Sequence, residues 1–148
     1  MAMGEAIMSG DFAVIEVRAT VARSPDAVWG LIGGFFDLGT FLGVECAPLS
    51  GDGGAGSVRI IAGAIVEPLV GATSRSYTYS QTAGPMAALH YHGTLACEQA
   101  EGGASEIVYT ILYDQSPLGP DERVANRTRI EGRFGEVVEA MKRYCSVN

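Results

Sequence analysis

The hydrophobic pattern of this chain changes period once, and that change limits what it can fold into. Through residues 12–21, FAVIEVRATV, apolar and polar side chains alternate. Ala13, Ile15, Val17, Ala19 and Val21 fall on one face, with Glu16, Arg18 and Thr20 on the other. A period of two is that of a half-buried β-strand. From Pro120 to about Arg143 the apolar residues Val124, Ile130, Phe134, Val137, Val138, Met141 and Cys145 recur at spacings of three and four, the period of an amphipathic helix. A helix of roughly 24 residues measures ~36 Å at ~1.5 Å per residue. With a single apolar stripe it has to lie across something equally long, and a sheet is the candidate.

Strand-like segments recur between these ends, at about 57–62, 64–70, 73–81, 88–97 and 106–114. They are joined by turn chemistry such as Thr82-Ala83-Gly84-Pro85 and Glu101-Gly102-Gly103. No helical pattern separates them, so they form an antiparallel meander. Ser24-Pro25-Asp26 offers a helix cap, a proline at the first helical position and an acid in the first turn. A short helix then runs through AVWGLI and stops at Gly33-Gly34, and Phe35, Phe36, Phe41 and Leu42 follow in a second short helix or turn. The class is α+β, with about six or seven antiparallel strands, a long C-terminal helix and two short helices after the first strand.

A chain of 148 residues suits one domain. Its hydrophobic share of 47% and charged share of 18% exclude a disordered or fibrous chain. A net charge of −7 without a run of Lys or Arg argues against nucleic acid and anionic membranes as partners. No apolar run approaches the ~20 residues of a membrane span. The opening MAMGEAIMSG lacks the basic and apolar parts of a secretion signal, and residues 1–10 read as flexible. Cys46, Cys97 and Cys145 are odd in number and far apart, which fits a reducing cytoplasm and three small buried hydrophobes.

Few motifs carry chemistry. Gly51, Gly53 and Gly56 satisfy G-x-G-x-x-G, but the strand-like SVRIIAGAIV follows where a dinucleotide site needs a helix. The loop GDGGAGS reads instead as a flexible hairpin or lid. His90 and His92 could share a strand face and reach one metal with Glu67, or could be surface histidines flanking an inward Tyr91. The second reading is preferred, and no metal or cofactor is assigned. Five of the six tyrosines lie between residues 77 and 113. Strand parity groups Arg75 with Tyr77 and Tyr79, and Tyr109 with Ile111 and Tyr113. Ordinary β-propensity would explain tyrosines there. Phenols on a covered face also suit a cavity with hydroxyls turned inward. Glu67, in the apolar run AIVEPLV, is a routine surface acid if it faces water. If it faces inward it is suited to proton transfer.

The residues Ser24-Pro25-Asp26-Ala27-Val28-Trp29, Ile32-Gly33-Gly34-Phe35, Gly56-Ser57-Val58-Arg59, Val66-Glu67-Pro68-Leu69, Arg75-Ser76-Tyr77-Thr78-Tyr79 and His90-Tyr91-His92-Gly93-Thr94-Leu95 carry a resemblance. Over roughly residues 12–145 the chain resembles the polyketide cyclase/dehydrase and lipid-transport branch of the START and birch-pollen-allergen-like (SRPBCC) superfamily. The resemblance implies a helix-grip fold spanning 1–148, in which a curved sheet wraps the long helix around a central cavity. It implies that Glu67, Tyr77, Tyr79, Tyr91, Tyr109, Ile111 and Tyr113 point into that cavity. Ile130, Phe134 and Val138 would close it, and Phe36 and Phe41 would line its mouth. The chain departs from the family where Thr40-Phe41-Leu42-Gly43 replaces a Trp-His-Pro-like stretch and where Glu67-Pro68-Leu69 replaces Glu-Arg-Leu.

On this basis the expected function is a cofactor-independent cyclase, dehydratase or lyase acting on a small hydrophobic, aromatic or polyketide-like molecule. Glu67 would act as base or acid, Tyr91 and Tyr109 would donate hydrogen bonds to developing negative charge, and Arg59 or Arg75 would supply positive field. The alternative is a non-catalytic binding or transport protein for a hydrophobic molecule. A homodimer is left open.

Overall fold

The computed structural model describes residues 11–148. The expectations for residues 1–10 lie outside the described residues. Seven strands form one antiparallel sheet: β1 (Phe12–Val21), β2 (Cys46–Ser50), β3 (Val58–Ile61), β4 (Ile65–Thr73), β5 (Ser76–Ser80), β6 (His92–Gln99) and β7 (Ser105–Asp114). Their order across the sheet is β1-β7-β6-β5-β4-β3-β2. From β2 to β7 each strand therefore pairs with its successor, and β1 closes against the last. This is the α+β helix-grip arrangement, with α1 (Pro25–Ile32) and α2 (Leu38–Leu42) between β1 and β2, and α3 (Pro120–Val147) at the end.

The local reasons are those of the sequence. On β1, Ala13, Ile15, Ala19 and Val21 are buried while Glu16, Arg18 and Thr20 are exposed. Ser24 caps α1, its Oγ accepting from the Ala27 amide at 3.2 Å, with Pro25 in the first turn. Gly43 ends α2 at φ 66°, a left-handed conformation that glycine adopts without steric penalty. Helix α3 has 28 residues and presents Ile130, Val138, Met141 and Cys145 to the sheet.

Three expectations are corrected. Val124 is 70% exposed rather than on the buried stripe. It lies six residues before Ile130, about 120° round the helix, and Asn126 takes the inward position instead. Strand β2 was not anticipated. It is a short edge strand with a register shift beside Pro48, a place that suits proline because it cannot donate to a ladder. The glycine loop 51–57 connects β2 to β3, with positive φ at Gly51, Gly53 and Gly56. Lastly, β6 begins at His92, because a turn of 3₁₀ helix at Ala87–Leu89 ends on His90 at φ 50°. His90 is thus off the strand, and the two histidines do not share a strand face.

Candidate functional site

The register of two hairpins assembles a polar floor beneath α3. Arg59 on β3 stands directly across from Glu67 on β4. Both side chains turn inward, and Arg59 is 0% exposed. Its Nε and Nη2 donate to Glu67 Oε1 at 3.0 and 2.9 Å. Nη1 donates to the Phe35 carbonyl at 3.0 Å and to the Tyr77 hydroxyl at 3.3 Å. The guanidinium also lies over the rings of Phe35 and Tyr79, 4.3 and 4.5 Å from their centroids. Glu67 Oε2 accepts from Gln81 Nε2 at 3.0 Å. A buried ion pair is tolerated when its remaining hydrogen-bonding groups are met in this way.

Beside it lies a chain of three phenols. The Tyr79 hydroxyl meets that of Tyr91 at 2.5 Å and also that of Tyr109. Tyr79 is opposite Gly93 in register, and Gly93 opposite Ile111. A Cβ on Gly93 would sit 2.5 Å from the Tyr79 oxygen and 2.7 Å from that of Tyr91. Glycine at this inward position therefore makes the space in which the phenols meet. Phe134 of α3 covers them, 4.9 Å from the Tyr109 ring and 6.3 Å from that of Tyr91. Burial pushes Tyr79, Tyr91 and Tyr109 well above the usual phenol range, with a smaller push from the neighbouring phenols and Glu67. At neutral pH all three keep their protons and can donate.

Above this floor is a cavity of about 550 Å³, within the ~300–1,000 Å³ of small-molecule sites. Its walls are apolar: Leu38, Phe41 and Leu42 from α2, Ile61 and Ile65 from the β3–β4 hairpin, Pro85 and Met86 from the β5–β6 connection, and Ile130, Phe134, Val137 and Ala140 from α3. Arg129, Arg133, Glu136 and Arg143, all exposed, form the rim on α3. The chain has no run of basic residues, yet the helical period gathers three arginines here.

Of the residues singled out in the sequence, Glu67, Tyr91, Tyr109, Phe41, Arg59, Tyr79, Ile130 and Phe134 line the cavity. Six do not. Arg75 lies in the turn before β5, where strand parity no longer applies, and pairs with exposed Asp26 at 3.2 Å. Tyr77 has the expected parity but sits behind Arg59 against Phe35 and Trp29. Ile111 is buried in the core, and the Tyr79 and Tyr91 phenols fill the space over Gly93, its partner strand residue. Tyr113 is fully buried farther along β7, opposite Ala13, and its hydroxyl has no partner among the described residues. Val138 is buried in the core, one position round α3 from the cavity residue Val137. Phe36 is half-buried and packs against Phe35.

Of the two readings left open for Glu67 the inward one holds, and of the two arginines offered as a positive field it is Arg59 that stands beside it. Gln81 lies outside the residues the sequence reading picks out, although it continues the parity of Tyr77 and Tyr79. The rim arginines escape a reading of the helix by its apolar stripe, although the same helical period places them. Among the described residues, no group of three His, Cys, Asp or Glu is placed to hold a metal ion, and no helix is long and apolar enough to cross a membrane.

Comparison with known proteins returns the same architecture. The family described as polyketide cyclase / dehydrase and lipid transport matches residues 13–146. Among curated proteins nothing matches in sequence. Solved structures do. A protein from Nitrosospira multiformis is 14% identical with a TM-score of 0.71, covering 91% of this chain and 94% of its own. Ara h 8.0201 is 17% identical with a TM-score of 0.68, at 93% and 99% coverage. An uncharacterised protein from Bacillus thuringiensis is 23% identical with a TM-score of 0.71, at 88% and 97%. At such identities the likeness concerns the fold.

Proposed function

The chain belongs to the polyketide cyclase / dehydrase and lipid transport family, and from that premise we propose that it binds a hydrophobic small molecule whose acceptor oxygen is held by the tyrosine floor. A count of protons carries this reading. Three phenols carry three protons, and two hydroxyl–hydroxyl contacts use two of them. Whichever way the chain of hydrogen bonds runs, one proton is left over at the cavity floor. A buried donor without a partner is costly, so a carbonyl-type oxygen on an otherwise apolar ligand is the complement the floor asks for. The apolar walls supply the rest of the affinity.

A second reading, in which the same cavity performs cofactor-independent cyclisation, dehydration or lyase chemistry, is favoured by one observation. Among the described residues Glu67 Oε2 accepts one hydrogen bond, from Gln81, which leaves it room to accept a proton beside a donor suited to an enolate-like oxygen. Tyr91 and Tyr109 would then stabilise the developing charge.

Native mass spectrometry of the purified 15.5 kDa chain tests the first reading. The expected result is a retained apolar, oxygen-bearing molecule whose affinity falls about five- to tenfold in whichever of Tyr91→Phe and Tyr109→Phe removes the phenol that donates to it, the loss of one hydrogen bond. A chain that retains nothing and takes up no neutral hydrophobic probe would overturn it. The phenylalanine variants also separate the two readings, since a catalytic floor loses turnover far beyond its loss of affinity. Glu67→Gln is the poorer variant because it strands the buried Arg59.

A further inference from the structure

The charge on the cavity is out of keeping with the rest of the molecule. The chain has 10 basic and 17 acidic residues and a net charge of −7. Four of those basic residues, Arg59, Arg129, Arg133 and Arg143, line the cavity, against two acids, Glu67 and Glu136. Arg59 and Glu67 neutralise each other on the floor. The excess positive charge therefore sits on the rim.

It is concentrated at one end. Arg129 and Arg133 are one turn apart on the cavity face of α3, flanking Ile130 and followed by Phe134, whose ring covers the phenols. Like charges at this spacing repel by a few tenths of a kcal/mol, so the pair does nothing for the helix by itself. Neither arginine makes an ion pair among the described residues, and Arg129 is engaged only by the Asn126 side-chain oxygen. Glu136 lies one turn beyond Arg133 and is not paired with it. The neighbouring Arg127, by contrast, is matched by Glu131 at 3.2 Å. Arg143 stands ten residues from Arg133, ~15 Å along the axis, too far for the same small group to reach.

Resting on the hydrophobic-ligand reading above, we infer that the ligand is an amphipathic oxyanion. Its carboxylate or phosphate head sits between Arg129 and Arg133 at the rim, and its apolar body runs down past Phe134 to the tyrosine floor. Guanidinium groups match both heads with paired donors. This predicts a ligand with two oxygen-bearing ends of different character, one charged at the mouth and one neutral at the floor.

The test is displacement of the neutral dye Nile red by dodecanoate, dodecyl phosphate and 1-dodecanol, below their aggregation limits at pH 8. The anions are expected to displace the dye at concentrations about tenfold lower than the alcohol, the order of a charged hydrogen-bonded contact. The advantage should shrink as salt rises. The ranking of carboxylate against phosphate identifies the head. Arg129→Gln/Arg133→Gln should remove most of the advantage while leaving dodecanol unchanged. Both substitutions are exposed and keep good helix formers. Arg18→Gln, on the far face of the sheet, removes charge without touching the cavity and should change nothing. Equal displacement by dodecanol and the anions overturns this inference and leaves the cavity reading intact. So does a rim variant that behaves like the parent, or an Arg18 variant that behaves like the rim variant. If Nile red and all three amphiphiles fail to bind, both readings fall.

Discussion

Arg59 is a guanidinium carried wholly out of water, and its surroundings look as they do because of that. The Glu67 carboxylate, the Phe35 carbonyl, the Tyr77 hydroxyl and two ring faces occupy it on every side. Removing the acid alone should be severe. Glu67→Ala is expected to lower the unfolding free energy by about 3–5 kcal/mol, because an unmatched buried charge remains. Replacing both partners, as Arg59→Met/Glu67→Leu, should recover most of that loss in urea unfolding. A single variant within about 1 kcal/mol of the parent would show that the pair is not a buried charge in solution. Gly93 is the other residue on which the floor depends. Gly93→Ala puts a methyl where the Tyr79 and Tyr91 hydroxyls meet, at a cost of roughly 1–3 kcal/mol for overpacking. It should also lose ligand affinity more than Tyr91→Phe does, since it displaces two phenols. Unchanged affinity in Gly93→Ala would remove the phenol chain from the binding site. Neither residue's role was legible one at a time. Arg59 and Glu67 each lie four residues from Gly63, so a hairpin centred there pairs them, but the turn had to be located first.

Helix α3 shows how far an element can be read from its period and where the reading stops. Its position, its burial against a sheet and its stripe from Ile130 to Cys145 all follow from apolar spacing. Its opposite function, carrying arginines to a rim, follows from the same spacing applied to charges at 129, 133 and 143. Two glycines interrupt it, Gly132 and Gly135, where a Cβ would meet nothing within 4 Å. Packing does not require them, and glycine inside a helix costs about 0.5–1 kcal/mol relative to alanine. Gly132→Ala and Gly135→Ala should therefore each raise the urea midpoint without altering ligand affinity. A variant that gains stability but loses affinity would mean the helix must bend to admit the ligand. The strands were legible where alternation ran unbroken, as in β1 and β7. They were not where the chain turns: Pro48 hides β2, the turn at Arg75 ends the parity of Tyr77, and His90 ends a turn inside what alternates like a strand.

At the scale of the whole molecule, the helix-grip fold leaves a cavity between a sheet and one long helix, and this chain floors it with phenols where branched aliphatics would have filled it. That choice has a consequence for stability against pH. Burial raises Tyr77, Tyr79, Tyr91 and Tyr109 above the ordinary phenol value, for Tyr77 against the opposing pull of Arg59. In the unfolded chain each releases its proton near the usual ~10, while in the folded chain it does not. Above that pH the unfolded state binds fewer protons than the folded one, so stability falls as pH rises. Below it both states are protonated and these groups contribute no slope. Stability should therefore be insensitive to these four phenols up to about pH 9.5 and then drop, by up to ~1.4 kcal/mol per pH unit for each phenol still protonated in the fold. Urea titrations between pH 8 and 11 read this directly, and phenolate absorbance from the four should rise with unfolding and not ahead of it. Tyr79→Phe should make the decline shallower. Phenolate from any of these four appearing near pH 10 while the fold stays intact would mean that water reaches the floor, and that the phenols stand in a wet channel instead of a closed recess.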